Sequence, residues 1–181
     1  LLKSFNITYP YFTCSAANEN LITNHSIPIY SLLCKNPEEY HINIKWNVSD
    51  QIKQVNKSYL EQLEGYLEES NNIILSGEDI SILDKQSLKD LFNKIKSYNF
   101  RVHIFALVRN PYKLLCSAIQ EYIKCGFYIN LNSFNQNPSN SLIKNVGLRS
   151  DIVEKLKLTF KKNIQFYSCL LYTSPSPRDT N

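Results

Sequence analysis

One segment constrains this chain more than any other: Val102-His-Ile-Phe-Ala-Leu-Val108, then Arg109-Asn-Pro111, then a helical run that carries Ser117. A near-continuous apolar run predicts a strand buried within a parallel sheet. The run stops at a cation. Pro111 suits the first position of a helix, where no backbone N–H is required and φ is already set. A strand, a tight turn, a helix N-terminus and an arginine are the parts with which α/β proteins hold a phosphate: the first-turn amides are unpaired and the helix dipole presents its positive end. Ser117 falls two turns into the helix, and helical side chains lean toward the N-terminus. Its hydroxyl is therefore expected to face the same anion as Arg109.

The surrounding pattern alternates strands with helices. Ile7–Phe12 predicts a short strand with Pro10 at an edge or end. A short helix is expected over about Pro28–Cys34, and His41–Ser49 fits more than one state. The spacing of Val55, Tyr59, Leu60, Leu63, Tyr66 and Leu67 predicts a helix over 51–70 with one apolar face. Ile73–Ser76 predicts a strand ending in Gly77-Glu78-Asp79. The next helix is expected over about 85–98, capped by Asp84, with Leu88, Leu91, Phe92 and Ile95 facing the core. The helix opened by Pro111 runs to about Lys124 and closes at Gly126. Phe127–Gly147 is polar, Asn-rich and long enough for a lid or substrate loop. A last helix, about 151–162, with Asp151 and Glu154 in a capping-box arrangement, leads into a strand at Ile164. The expected fold class is α/β, a parallel sheet with helices on both faces.

Composition narrows the function classes. The chain has 181 residues, 43% of them hydrophobic, which suits one domain with a real core and excludes a disordered chain. No apolar run nears the roughly 20 residues of a membrane-spanning helix. The net charge of +4 comes from scattered lysines without a basic stripe, so no nucleic-acid partner is expected. Cys14, Cys34, Cys116, Cys125 and Cys169 form no CxxC pair and no metal-ligand spacing, which predicts neither a disulfide framework nor a metal site. The sequons at Asn6, Asn24, Asn47 and Asn56 are expected to be accidents of an Asn-rich chain. The expected compartment is the cytoplasm. There is no Met, and Leu1 begins in mid-pattern, so the chain is expected to be a fragment truncated at both ends. Its last residues, 169–181, resemble the in-frame translation of a transposon-end sequencing adapter, matching through Asp179. They are expected not to belong to the native protein, whose partial domain is then 1–168.

Leu107-Val-Arg-Asn-Pro-Tyr-Lys-Leu-Leu-Cys-Ser-Ala-Ile-Gln120 resembles the 3′-phosphate-binding motif of the sulfotransferase family, in which an Arg ends a strand and a Ser comes eight residues later in the helix. Tyr9-Pro10, Asn24-His25-Ser26, Ile74-Leu-Ser-Gly-Glu-Asp79 and the strand at Ile164 are similar to bacterial-type members. The resemblance implies a P-loop-like fold and transfer of a sulfuryl group from 3′-phosphoadenylyl sulfate (PAPS) to a hydroxyl or amine, with a carbohydrate as the expected acceptor. It also implies that Arg109 and Ser117 bind the 3′-phosphate of the donor, without a metal. The family's glycine-rich loop, with its lysine, has no counterpart here: the four glycines, at 65, 77, 126 and 147, lie in no such loop. The chain as given is therefore expected to be inactive.

Sulfuryl transfer needs a fixed donor, positive charge on the moving group and a base for the acceptor proton. Glu78, at the C-terminal end of the strand expected over 73–76, is a candidate base. Its other reading is a turn residue, with Asp79 capping the next element. His25 is a second candidate, because a neutral imidazole near pH 7 takes a proton. Its other reading is a loop histidine hydrogen-bonded in place by its Asn and Ser neighbours. His41 is a weaker candidate, and His103 reads as a core histidine of the central strand. Lys113 reads as an assistant to the anion or as a solvated helix-face lysine. Two further classes stay open for the whole: another phosphate-handling, kinase-like enzyme, or an inactive sulfotransferase-like binding module.

Overall fold

The computed structural model describes residues 6–124, 126 and 150–168. The expected loop 127–147, Cys125 and the adapter-like tail lie outside the described residues. The protein is mixed α/β and divides into two compact units, Leu1–Val102 and His103–Asn181.

The first unit is organised by one long helix. Strands β1 (Phe12–Cys14) and β2 (Glu19–Ile22) pair antiparallel. Beyond them come helices α1 (Ser26–Leu33), α2 (His41–Lys45), α3 (Ile52–Glu69) and α4 (Lys85–Ser97). Helix α3 buries Ile52, Val55, Tyr59, Leu63 and Leu67, the stripe that three- and four-residue spacing places on one face. Phe12, wholly buried, meets Tyr59, Tyr66 and His25 edge to face, with ring centroids about 6 Å apart. Leu91 and Ile95 of α4 pack against the same core, as does Trp46. The Asp84 carboxylate accepts from Ser87 N–H at 2.8 Å and so caps α4 as its position predicted; that bond holds its acid below the ordinary carboxylate range.

Polar groups inside this unit are tied by side chains. Gln62 accepts from Thr13 N–H (2.8 Å) and donates back to Thr13 C=O (3.1 Å), which satisfies backbone groups of β1 that face away from β2. Ser31 Oγ donates to Asn56 Oδ1 (2.7 Å) and accepts from Asn43 Nδ2 (2.8 Å), while Asn56 Nδ2 donates to Ser31 C=O (2.8 Å). These bonds lock α1 to α3. They also take up the amide of Asn56, one of the sequon asparagines.

The expected strand over 7–12 is displaced. Thr8 makes a single parallel bridge to Ile73, and the antiparallel strand starts only at Phe12. Pro10, which has no N–H to donate, lies between them and interrupts the ladder. Ile73–Ser76 likewise makes that one bridge in place of a full strand.

In the second unit, β3 (Ile104–Val108) and β4 (Ile164–Ser168) pair in parallel, in register Ile104↔Ile164 through Val108↔Ser168. Helix α5 (Pro111–Lys124) starts at the proline as predicted, and Gly126 takes a φ of +83° just beyond its end. Helix α6 (Ser150–Phe160) leads through a 3₁₀ turn into β4. The expectation of a strand buried on both faces is not met here: Ile104, Ala106 and Val108 are half-buried, whereas Phe105 and Leu107 are 59% and 73% exposed. His103, expected in the core of that strand, is exposed and precedes it. Among the described residues each sheet has two strands.

The single tryptophan, Trp46, reports on the first unit's core. Phe12→Ala should cost about 3–5 kcal/mol of stability, read as a lower urea midpoint of Trp46 fluorescence.

Candidate functional site

The turn between β3 and α5 is built by its own sequence. Asn110 Oδ1 accepts from Tyr112 N–H (3.0 Å) and Lys113 N–H (3.4 Å), and Asn110 C=O accepts from Leu114 N–H (3.0 Å). Asn110 is thus the N-cap, and Pro111 takes the next position, where no donor is missed. Arg109 leaves the end of β3 and places its guanidinium NH1 3.4 Å from Ser117 Oγ. Both side chains are exposed. The eight-residue spacing therefore gathers a fixed cation and a hydroxyl beside the positive end of a 14-residue helix. Lys113 is exposed on the first turn, and its backbone N–H takes part in the cap. A planar guanidinium donor beside a hydroxyl can bind a tetrahedral oxyanion.

The other candidates lie in the first unit, where three motifs far apart in sequence meet. His25 immediately precedes α1 and its side chain is wholly buried. Its Nε2 donates to Pro10 C=O (2.8 Å), and its Nδ1 accepts from Ser76 N–H (2.7 Å). The Tyr9 ring lies against it at 4.4 Å between centroids. The Tyr9 hydroxyl donates to Thr23 C=O (3.2 Å) and lies 2.8 Å from Ser76 Oγ, whose proton completes that contact. Asn24 Oδ1 accepts from Ser26 N–H (3.0 Å), and Ser26 Oγ accepts from Asp79 N–H (3.0 Å). Gly77 crosses close over Ser26: a Cβ there would sit 2.8 Å from Ser26 Cα and collide with the Ser26 backbone N. Only glycine permits that crossing.

Glu78 lies in the middle of this turn, just ahead of a 3₁₀ turn over Asp79–Ile82. Asp79 does not cap that turn with its side chain; its carboxylate accepts instead from the Tyr40 hydroxyl at 2.7 Å. Burial, reinforced by that bond, pushes the Tyr40 phenol well above its ordinary range. His25 is held by Pro10 and Ser76 rather than by Asn24 and Ser26. Burial drives its pKa below the ordinary value, against smaller opposing effects of its two backbone bonds. His41, at the start of α2, is exposed.

A cleft of about 400 Å³ in the same unit has a mixed lining that includes Thr13, Ala16, Gln54, Val55, Lys57 and Glu61, with none of His25, Glu78, Arg109 or Ser117. Among the described residues no group of three or more His, Cys, Asp or Glu gathers, and no helix is long and apolar enough to cross a membrane. The sequence missed the roles of Ser26, Tyr40 and Asp79 as ties. The Gly77 turn carried a signal in its Ser-Gly-Glu-Asp composition, whereas nothing local marks Tyr40 as its partner. Comparison with protein-family models, curated proteins and solved structures finds no match.

This geometry sets two expected outcomes. Gly77→Ala should destabilise the first unit by roughly 1–3 kcal/mol, the usual cost of forcing an extra carbon into a packed site, seen as a lower urea midpoint at Trp46. The depressed His25 pKa means that the unfolded chain binds its proton first. The stability His25 contributes is therefore complete above about pH 6.5, the value in an unfolded chain, and declines as pH falls below it. The urea midpoint should drop between pH 7.5 and 5.5, and by less in His25→Asn. Equal drops in the two proteins would assign the acid sensitivity to other groups.

Proposed function

We propose that this chain is part of a PAPS-dependent sulfotransferase, with Arg109 and Ser117 holding the 3′-phosphate of the donor. The observation that carries the reading is the 3.4 Å approach of Arg109 NH1 to Ser117 Oγ at the capped N-terminus of α5. The pair sits at the C-terminal end of a parallel strand, where α/β folds bind their ligands. A strand, a helix and a returning parallel strand are also the unit from which P-loop-type sheets with helices on both faces are built, and the reading includes that fold. Glu78, on a turn pinned from both sides, is the proposed base for an acceptor hydroxyl or amine, of carbohydrate class. A base must be held within hydrogen-bond reach of the proton it takes, and a fixed turn serves that end. His25, with its acceptor nitrogen already used, does not share the role.

The test is calorimetric binding of 3′,5′-adenosine bisphosphate to the chain. Ser117→Ala should weaken it about tenfold and Arg109→Ala by more, in keeping with roughly 1.5–3 kcal/mol for a hydrogen bond to a charged group. Adenosine 5′-monophosphate, which lacks the 3′-phosphate, should bind more weakly and respond to neither substitution. Equal affinity of wild type and Arg109→Ala for the bisphosphate would remove Arg109 from the site.

A further inference from the structure

Four groups hold the Ser76–Asp79 turn, the Tyr9 hydroxyl at Ser76 Oγ among them, and one of the four changes its hydrogen-bonding character on protonation. Ser26 Oγ accepts from Asp79 N–H, Tyr40 donates to the Asp79 carboxylate, and His25 Nδ1 accepts from Ser76 N–H. A neutral imidazole has one donor and one acceptor. With Pro10 C=O at Nε2 and Ser76 N–H at Nδ1, only the Nε2–H tautomer satisfies both. That tautomer leaves no ring lone pair for a proton from elsewhere.

We infer that His25 is a positioning residue: a neutral Nε2–H strut that fixes the turn bearing Glu78 against Pro10 and releases it on protonation. What the turn is for rests on the proposed role of Glu78; the strut itself does not. Protonation sets an Nδ1–H against the Ser76 N–H, two donors facing each other at a wholly buried ring. Tyr9, ahead of β1, and Phe12, the first residue of β1, present their rings to the imidazole. The turn presents the Ser76 amide, with Glu78 and Asp79 next in the same turn and the Asp79 carboxylate engaged by Tyr40. From α1 come Ser26 and its hydroxyl, tied to Asp79 N–H. The bonds that set the imidazole's state are therefore the two backbone bonds.

Nitrogen-15 NMR of the imidazole in the full chain reads the tautomer directly. The expected spectrum at pH 7.5 has a protonated Nε2 and a bare Nδ1; an Nδ1–H tautomer overturns the inference. Two substitutions separate the strut from simple packing. His25→Asn can place an oxygen where Nδ1 stood, whereas His25→Gln reaches only toward the Nε2 position. Hydrogen exchange of the Ser76 amide should stay near the wild-type rate in His25→Asn and rise about tenfold in His25→Gln, the factor for one lost hydrogen bond of ordinary strength. Equal exchange in both variants overturns it. In the wild type the same amide should exchange faster below pH 6, after correction for intrinsic chemistry, and constant protection there counts against release. Glu78→Gln tests the other reading separately. It should leave the His25 tautomer and Ser76 exchange unchanged, and a change in either would mean that the Glu78 side chain, not His25, sets the turn; the role of Glu78 as base is read separately, from sulfuryl transfer by a protein that carries the glycine-rich loop.

Discussion

The first unit depends on a single demand: backbone groups brought inside an apolar shell must find partners there. Where Pro10 ends the contact between Thr8 and Ile73, the sheet ladder stops and leaves the buried Pro10 carbonyl and the part-buried Ser76 amide without each other as partners. An unpaired amide in that position costs about as much as several methylenes' worth of burial returns. The imidazole of His25 answers both groups at once, and its ring also fills space against Phe12 and Tyr9. The close crossing of Gly77 over Ser26 comes from the same tie, since Ser76 and its neighbour must reach α1 for the bonds to close.

The two candidate regions are prepared differently. Around Glu78, the backbone is set by bonds on either side before any ligand arrives. Around Arg109, the turn backbone is fixed by the Asn110 cap, but the two polar groups lie exposed and bond each other at the long end of the usual range. The first arrangement suits a group that must keep one orientation. The second suits groups that close on an anion, because both are already gathered at a positive helix end and water is easily displaced.

The features legible in the sequence were those that depend on neighbours along the chain. The start of α5 at Pro111, the Asp84 cap and the buried stripe of α3 are local, and the structure has all three. The approach of Ser117 to Arg109 was legible for the same reason, being a matter of helical pitch. The short β1 and the lone bridge at Ile73 were not, because an apolar run shows that a segment is suited to pairing and not which neighbour it finds. The exposure of Phe105 and Leu107 has the same origin: burial belongs to whatever covers a strand, and the strand's own residues cannot state it. His25 was legible as a residue of interest, but its partners, fifteen and fifty-one positions away, were not.

Among the described residues, five other than glycine take a positive φ, and four are asparagines: Asn6, Asn18, Asn47 and Asn99. Asn18 closes the turn after β1, Asn47 lies just past α2 and Asn99 just past α4. These are places where many proteins use glycine. Asparagine tolerates the left-handed region yet roams far less widely when the chain is unfolded. With four glycines in 181 residues, the protein therefore ends its helices with less disorder to give up at each stop. Part of its resistance to unfolding lies in the restricted freedom of the denatured chain rather than in any contact of the folded one.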